Sequence, residues 1–324
     1  MLTALLDASP AIDAVGYRVV HGGAELRRTS LLDDHVLAAL RAVAPRAPQH
    51  LPPVIATAEL LRRRLPGVPH VVAFDTAFHA LMPDVAATEA LPGEWRSRFD
   101  LRRYGFHGLS YASALPRAAT LIGRSPGEMH AVLAHLGGGC SVCAVRDGQS
   151  VWTSMGGTPL DGLVMTRRSG SVDPGTLLDL ITLHGLSPRE VRDGLEQRGG
   201  LLGLSGGLSA DTRDLVAAAG SGDASARFAL AVFAFRARQA IAAAASCLDR
   251  LDALVFTGEI AGDQPELRDA ICSGLGIFGV HGGLRAVTDE DAVLSAAHAP
   301  VPVVLLTVGE DLEVAAEVHR LLDA

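Results

Sequence analysis

Short apolar runs alternate with amphipathic segments along this chain, and most of the runs end in a polar residue or a glycine. The first run, Tyr17-Arg18-Val19-Val20, reads as a strand stopped by His21-Gly22-Gly23, with a short helix expected over residues 1–16. Apolar residues at Leu32, Val36, Leu37, Leu40 and Val43 recur at helical spacing and predict a helix over 31–43. The proline-rich stretch 44–53 breaks that periodicity, and a second helix is expected to run to about Arg64. Residues 68–74 form a largely apolar strand that delivers Asp75 to its C-terminal end, followed by a loop or short helix over 76–82. A helix is expected over 110–121. The apolar run 131–134 then predicts a buried strand that stops at His135 and Gly137-Gly138-Gly139. Alternation resumes over 141–145, and Asp147-Gly148 turns the chain back into 150–152 as a hairpin. Helical patterns begin at 174–185 and again beyond a loop at 205–213, where Ser209 or Asp211 is the expected cap. A long helix over 222–249 leads to a buried strand over 251–257 that ends at Gly258. The tail repeats the form: a strand over 301–306, a turn at 309–311 and a helix over 312–322.

Strands alternating with helices, each strand handing on a polar or glycine residue, imply an α/β fold. Ligands in such folds bind at the carboxyl ends of the strands. The 324 residues suffice for two domains or one large one. Hydrophobic residues make up 48%, charged residues 20%, and the net charge is −8, so nothing in the balance suggests a nucleic-acid partner. All basic charge is carried by arginine, because the chain has no lysine. A P-loop NTPase, whose phosphate loop needs a lysine, is thereby excluded. The first residues lack the charged and apolar regions of a signal peptide. The densest apolar stretch, 228–247, carries Arg236, Arg238 and Gln239 and fits a packed helix better than a membrane span. Cys140 and Cys143 have C-x-x-C spacing but lie in a strand with no second pair, which argues against zinc. With Cys247 and Cys272 they read as free thiols of a soluble cytoplasmic protein.

Several residues carry candidate chemistry. Asp75, at a strand end with Thr76 and His79 beyond it, is either a carboxylate beside a transferring group or a cap for the next helix. Arg18, mid-strand among apolar residues, and Arg168, in a Gly/Ser-rich loop, suit carboxylate or phosphate oxygens. The plainer reading makes Arg18 an internal salt bridge and Arg167-Arg168 a solvated pair. His107, within Tyr-Gly-Phe-His-Gly, and His135, before three glycines, can hydrogen-bond a phosphoryl group or serve as ordinary satisfied histidines. Glu259 to Asp263 follow a strand where a nucleotide-binding turn belongs. Glu310 follows another, where a carboxylate would suit Mg²⁺. Ordinary turn chemistry accounts for either equally well.

The chain resembles the acetate kinase family, within the acetate and sugar kinase, Hsp70 and actin fold group, through a series of ordered motifs. These are RVVHGG at 18–23, FDTAFH at 74–79 with Met82-Pro83, RYGFHG at 103–108, and TSMG at 153–156 with TPLDGLVM at 158–165. RSG at 168–170 runs on to Asp173-Pro174, and GLLG at 200–203 and residues 209–213 follow in order. The resemblance covers almost the whole chain from about Gly16. It implies a two-domain actin-like fold, with one domain from 1–76 plus 311–324 and a nucleotide- and phosphoryl-binding domain from 77–310. It also implies transfer of a phosphoryl group from ATP to acetate, giving ADP and acetyl phosphate by direct in-line transfer with Mg²⁺, in a homodimer. By motif position Asp75 lies beside the acetyl group, Arg18 binds the substrate, and His107 and Arg168 stabilise the transferring phosphoryl. Val20, Phe106 and Pro159 shape the acyl pocket, and Glu310 holds Mg²⁺. The ATP side takes His135, Gly137, Gly138, Gly139, Asp211, Arg213 and the turn Gly258, Glu259, Ile260, Ala261, Gly262.

The departures from the family pattern concentrate on the ATP side. No N-x-G-S-S-S phosphate loop occurs, so the first domain is expected to be incomplete, with exposed sheet edge and core. The H-L-G-N-G motif reads HLGGG at 135–139, the H-N-P motif reads His50-Leu51-Pro52, and the G-G-I-G-E-N turn has Glu259, Ala261 and Asp263. Glu259 is expected to repel nucleotide oxygens unless it turns away or a metal intervenes. Three further expectations follow: a homologue that binds a carboxylate or acyl phosphate without turnover, a start codon placed downstream of the true one, and propionate or butyrate as substrate.

Overall fold

A computed structural model describes residues 11–284, 286–288 and 290–323. The chain opens with β1 (Val15–Val19), in which Tyr17 and Val19 are buried while Gly16 and Arg18 face the other way. After β2 (Ser30–Leu31), Asp33 caps α1 (Asp34–Val43) by accepting from the Val36 amide at 2.8 Å. The next helix, α2 (Leu51–Arg64), carries Pro52 and Pro53 in its first turn, where the missing amide hydrogens cost nothing. β3 (His70–Phe74), buried throughout, lies between parallel β1 and antiparallel β2. A core of Leu32, Val36, Leu40, Leu51, Ile55 and Leu61 joins this sheet to α1 and α2.

Two short helices, α3 (Asp84–Ala87) and α4 (Gly93–Phe99), lead to α5 (Gly108–Leu121). The second sheet begins with β4 (Ala131–Leu136), β5 (Cys140–Arg146) and β6 (Gln149–Thr153), joined by the three-glycine and Asp147-Gly148 turns. Then come α6 (Pro174–Thr182), α7 (Pro188–Glu196), α8 (Gly200–Leu204), α9 (Thr212–Gly220) and α10 (Ala224–Ala245). β7 (Ala253–Thr257), α11 (Glu259–Asp263), α12 (Pro265–Cys272), β8 (Ala292–Val293), β9 (Val303–Leu305) and α13 (Glu310–Leu322) complete the chain. The strand order is β6-β5-β4-β7-β9-β8, with β4, β7 and β9 parallel.

The central strands are apolar without a break because both faces are covered. Val132, Ala134 and Leu136 of β4 join the core beneath α10, whereas Ala131 and Leu133 join the one beneath α5. α10 is long and apolar enough to cross a membrane by length and composition alone. Its stripe of Ala226, Ala229, Phe233, Ala237, Ile241 and Ala244 nevertheless lies in the core of the second sheet. The C-terminal helix α13 returns to the first sheet. A Cβ at Gly16 would stand 2.7 Å from Val314, so β1 and α13 meet at a distance only glycine allows.

Element boundaries differ from expectation where a local hydrogen bond decides them. The helix expected over 1–16 falls partly outside the described residues; 11–14 form no helix and Val15 already belongs to β1. The helix expected from 31 starts at Asp34, because Ser30 and Leu31 pair with β3. His135 lies within β4 rather than beyond it, paired with Ser141 and Thr257. Of the two candidate caps at 209 and 211, Asp211 caps α9, while the Ser209 hydroxyl donates to Asp214. Glu310 and Asp311 form the first turn of α13 instead of a turn before it.

Backbone hydrogen bonds of Asp75 tie the first sheet to the start of α5 at the place where ligands are expected. The Asp75 amide donates to the Val19 carbonyl at 3.0 Å, and the Asp75 carbonyl accepts from the Gly108 amide at 3.0 Å. A Cβ at Gly108 would lie 2.0 Å from that carbonyl oxygen. We therefore expect Gly108→Ala to destabilise the protein by about 2 kcal/mol or more in denaturant unfolding, through forced backbone displacement. Gly67→Ala, whose added methyl would meet nothing within 4 Å, should leave the midpoint unchanged.

Candidate active site

Arg18 projects from the face of β1 that carries Gly16, towards the N-terminal end of α13. There it donates to Glu310 through one nitrogen and to Asp75 Oδ2, at 3.0 Å, through the other. Burial works against its charge, yet the two carboxylates hold its pKa above the ordinary value. Asp75 is fully buried, and burial pushes its carboxyl pKa up against the pull of Arg18. Its Oδ1 lacks a well-formed hydrogen bond, although the Leu109 amide is near enough to favour the charged form. Glu310 is raised in the same way, by burial opposed by Arg18.

Opposite this cluster stand two stacked histidines, with His107 and His135 ring centroids 4.3 Å apart. His107 is one of the few non-glycine residues in the left-handed region, at φ 60°, just before α5. Its Nδ1 is 2.7 Å from the Ser141 hydroxyl, which the Tyr111 hydroxyl also contacts. His135 Nδ1 is 3.0 Å from the Ser110 hydroxyl. Burial, reinforced by His135 and nearby arginines, holds His107 well below the usual histidine range. Burial, with Arg18 adding to it, holds His135 at about 4. Both rings are therefore neutral at pH 7 and offer hydrogen bonds rather than charge.

Arg168 turns inward, whereas Arg167 is exposed, so the pair is not a solvated one. Arg168 donates to the Pro159 carbonyl, and another of its nitrogens lies 2.6 Å from where a Gly139 Cβ would be. A side chain at 139 would thus displace Arg168 and press on His107 as well. Burial lowers the Arg168 pKa.

These groups line one cavity of about 450 Å³, with Arg18, Asp75, His107, His135, Arg168, Glu259 and Glu310 among its polar residues. Val20, Phe106, Pro159, Val54 and Pro53 supply an apolar wall. A second hollow, also about 450 Å³, is lined by Gly138, Thr166, Asp211, Arg213, Glu259, Ile260 and Asp263. There Asp211 holds Arg213 in a two-pronged pair, with 3.0 and 2.6 Å contacts.

Most of the residues singled out in the sequence therefore converge on two adjoining hollows. Gly137, Gly258, Ala261 and Gly262, expected on the ATP side, line neither hollow. Gly258 lies at φ 93°, and a Cβ there would meet the Leu136 carbonyl at 2.4 Å. Ala261 is packed into the core, and the Ala261 and Gly262 carbonyls are taken by the buried Arg268 guanidinium. Gly137 closes the glycine turn by donating to the Gly139 carbonyl at 3.0 Å. Sequence reasoning missed Gln49 and His50, which line the inner cavity, and Ser110 and Ser141, which orient the two histidines. The signal for His50 was its place in the altered H-N-P motif; a serine in a helix or a strand gives none.

A cavity with a small apolar wall, a half-exposed arginine for a carboxylate, and neutral donors beside a second arginine suits a short carboxylate next to a phosphoryl group. Comparison with known proteins points the same way. The family model described as the Acetokinase family matches residues 2–316. The chain is 44% identical over 317 residues to an acetate kinase of Deinococcus deserti, covering 97% of this chain and 79% of that one. Among solved structures, acetate kinase of Porphyromonas gingivalis superposes with a TM-score of 0.87 at 31% identity, covering 96% of this chain and 78% of that one. A propionate kinase of Francisella tularensis gives 0.89 at 34%, covering 98% and 80%. With these relatives and this arrangement of residues, the chain belongs to the acetokinase family, the ATP-dependent carboxylate kinases, and has their two-domain actin-like α/β fold.

Proposed function

We propose that this enzyme transfers the terminal phosphoryl group of ATP directly to acetate, with propionate and butyrate as poorer substrates, and that it does so in the cytoplasm. The observation that carries the reading is the convergence of Arg18, Asp75, Glu310, His107, His135 and Arg168 on one cavity whose apolar wall, Val20, Phe106 and Pro159, fits a short tail. A carboxylate oxygen attacks the terminal phosphorus, a new P–O bond forms, and the bond to the ADP oxygen breaks. Arg18 holds the carboxylate, and Asp75 holds Arg18. Arg168 and His107 donate to the equatorial oxygens, where charge spreads in the transition state. Tyr111 donates to Ser141 and Ser141 to His107 Nδ1, which leaves the Nε2 proton for the phosphoryl group. His135 contacts the nucleotide phosphates, and Asp211, Arg213, Glu259 and Ile260 border the rest of the nucleotide.

Mg²⁺ suits this donor set, because Asp75 keeps an unsatisfied buried oxygen and Arg18 occupies only one oxygen of each carboxylate. Asp75 and Glu310 would hold it, and bound there it would neutralise phosphate charge. We assign residues 1–76 with 311–324 to one domain and 77–310 to the other, consistent with α13 packing on β1. We also propose a homodimer. α6 buries none of its residues, yet carries Leu177, Leu178, Leu180 and Ile181, with Leu183 just beyond.

Purified protein with ATP, Mg²⁺ and acetate should form acyl phosphate, trapped as the hydroxamate; no trapped product would refute the assignment. Arg168→Ala should lower kcat by about 10²–10³-fold, and unchanged turnover would remove it from the mechanism. Stability should fall as pH drops from about 6.5 to about 4. Burial holds His21, His79 and His135 at about 4 and lowers His50 and His107 from the usual histidine range, so the unfolded chain binds more protons in that window. The raised Asp75 and Glu310 oppose this, but five lowered histidines outnumber two carboxyls. Urea melts across that range give the sign directly. The double change Leu178→Glu and Leu183→Glu should yield monomers in sedimentation, if α6 is the interface.

A further inference from the structure

Glu259 and Gly138 line both hollows, so anything that spans the two passes the Glu259 carboxylate. Its Oε2 stands over the glycine turn, 2.9 Å from where a Gly137 Cβ would be. Among the described residues Glu259 makes no hydrogen bond or ion pair, and its side chain is exposed to the cleft. The outer hollow offers nothing to offset it. Asp211, Asp263 and Glu259 face the single guanidinium of Arg213, and Asp211 already holds that group in two contacts. A bare polyphosphate laid across the junction would meet uncompensated negative charge. A divalent cation travelling with the polyphosphate reverses the sign of that contact, since carboxylate oxygens are its preferred ligands. In the inner cavity, which the same polyphosphate would enter, Asp75 Oδ1 is buried without a well-formed hydrogen bond, an oxygen a cation would satisfy.

We infer that Glu259 couples binding of the phosphoryl donor to a divalent metal, turning away the bare polyphosphate and admitting its metal complex. The inference rests on the phosphotransfer reading above and adds a gatekeeping residue to it. At the separations of such a junction, one carboxylate facing phosphate charge changes affinity on the order of 10- to 100-fold.

The test is equilibrium binding of ATP by calorimetry, once with excess Mg²⁺ and once with EDTA. The wild type should bind at least about 100-fold more weakly without metal. Glu259→Gln should bring that ratio to about tenfold or less, chiefly by strengthening metal-free binding. Glu259→Gly serves the same purpose if the glutamine variant does not fold. A ratio within twofold of wild type in the folded variants overturns the inference, as does a wild type that fails to bind ATP even with excess Mg²⁺. Acyl phosphate formation by the wild type is measured alongside. Its absence would sink the phosphotransfer reading, whereas its presence with an unchanged ratio would sink only the role of Glu259.

Discussion

The Arg18 guanidinium held between Asp75 and Glu310 is the interaction on which the rest of the site depends. It joins β1, the end of β3 and the start of α13, three segments that are far apart in sequence. Burying such a cluster is a poor way to gain stability, because desolvation of three charges consumes most of the Coulomb attraction. What the arrangement secures is position. Arg18 cannot relax away from the cavity while two carboxylates grip it, one oxygen of each.

The opposite wall is held by a different device. His107 sits in the left-handed region, with Gly108 pressed against the Asp75 carbonyl on one side and Ser141 of the second sheet bonded to the ring on the other. A backbone conformation that costs a non-glycine residue on the order of 1 kcal/mol or more is over-determined here from both sheets. The histidine pair is kept neutral by burial, so among the described lining residues the fixed positive charge comes from Arg18 and Arg168. Phosphoryl transfer needs donors and fixed charge more than it needs proton transfer, and the division of labour matches that need.

The inner cavity and the outer hollow differ in how they treat an anion. Inside, arginines face an anion across an apolar wall. Outside, Arg213 is neutralised by its neighbour and carboxylates dominate.

Much of this was legible in the residues themselves. Alternating strands and helices, Asp75 at the end of an apolar run and the glycine turn before β5 follow from periodicity and backbone freedom, which are local properties. The ordered motifs carried Arg18, His107, Arg168 and Glu310 as a set. Local reasoning went astray where a partner distant in sequence decides the outcome: the start of α1, which gives way to pairing of Ser30 and Leu31 with β3, and the membership of His135 in β4. It was silent on Ser141 and Ser110, because a hydroxyl's role depends on which imidazole the fold brings within about 3 Å. Whether Arg168 faces a ligand or forms a solvated pair with Arg167 was likewise open until Pro159 and Gly139 received it on the inner side. The sequence by itself thus determined the fold class, the family and the inventory of charged groups. Only the tertiary structure decided which charges neutralise one another and which face the substrate, because electrostatic pairing is set by distance in space, not along the chain.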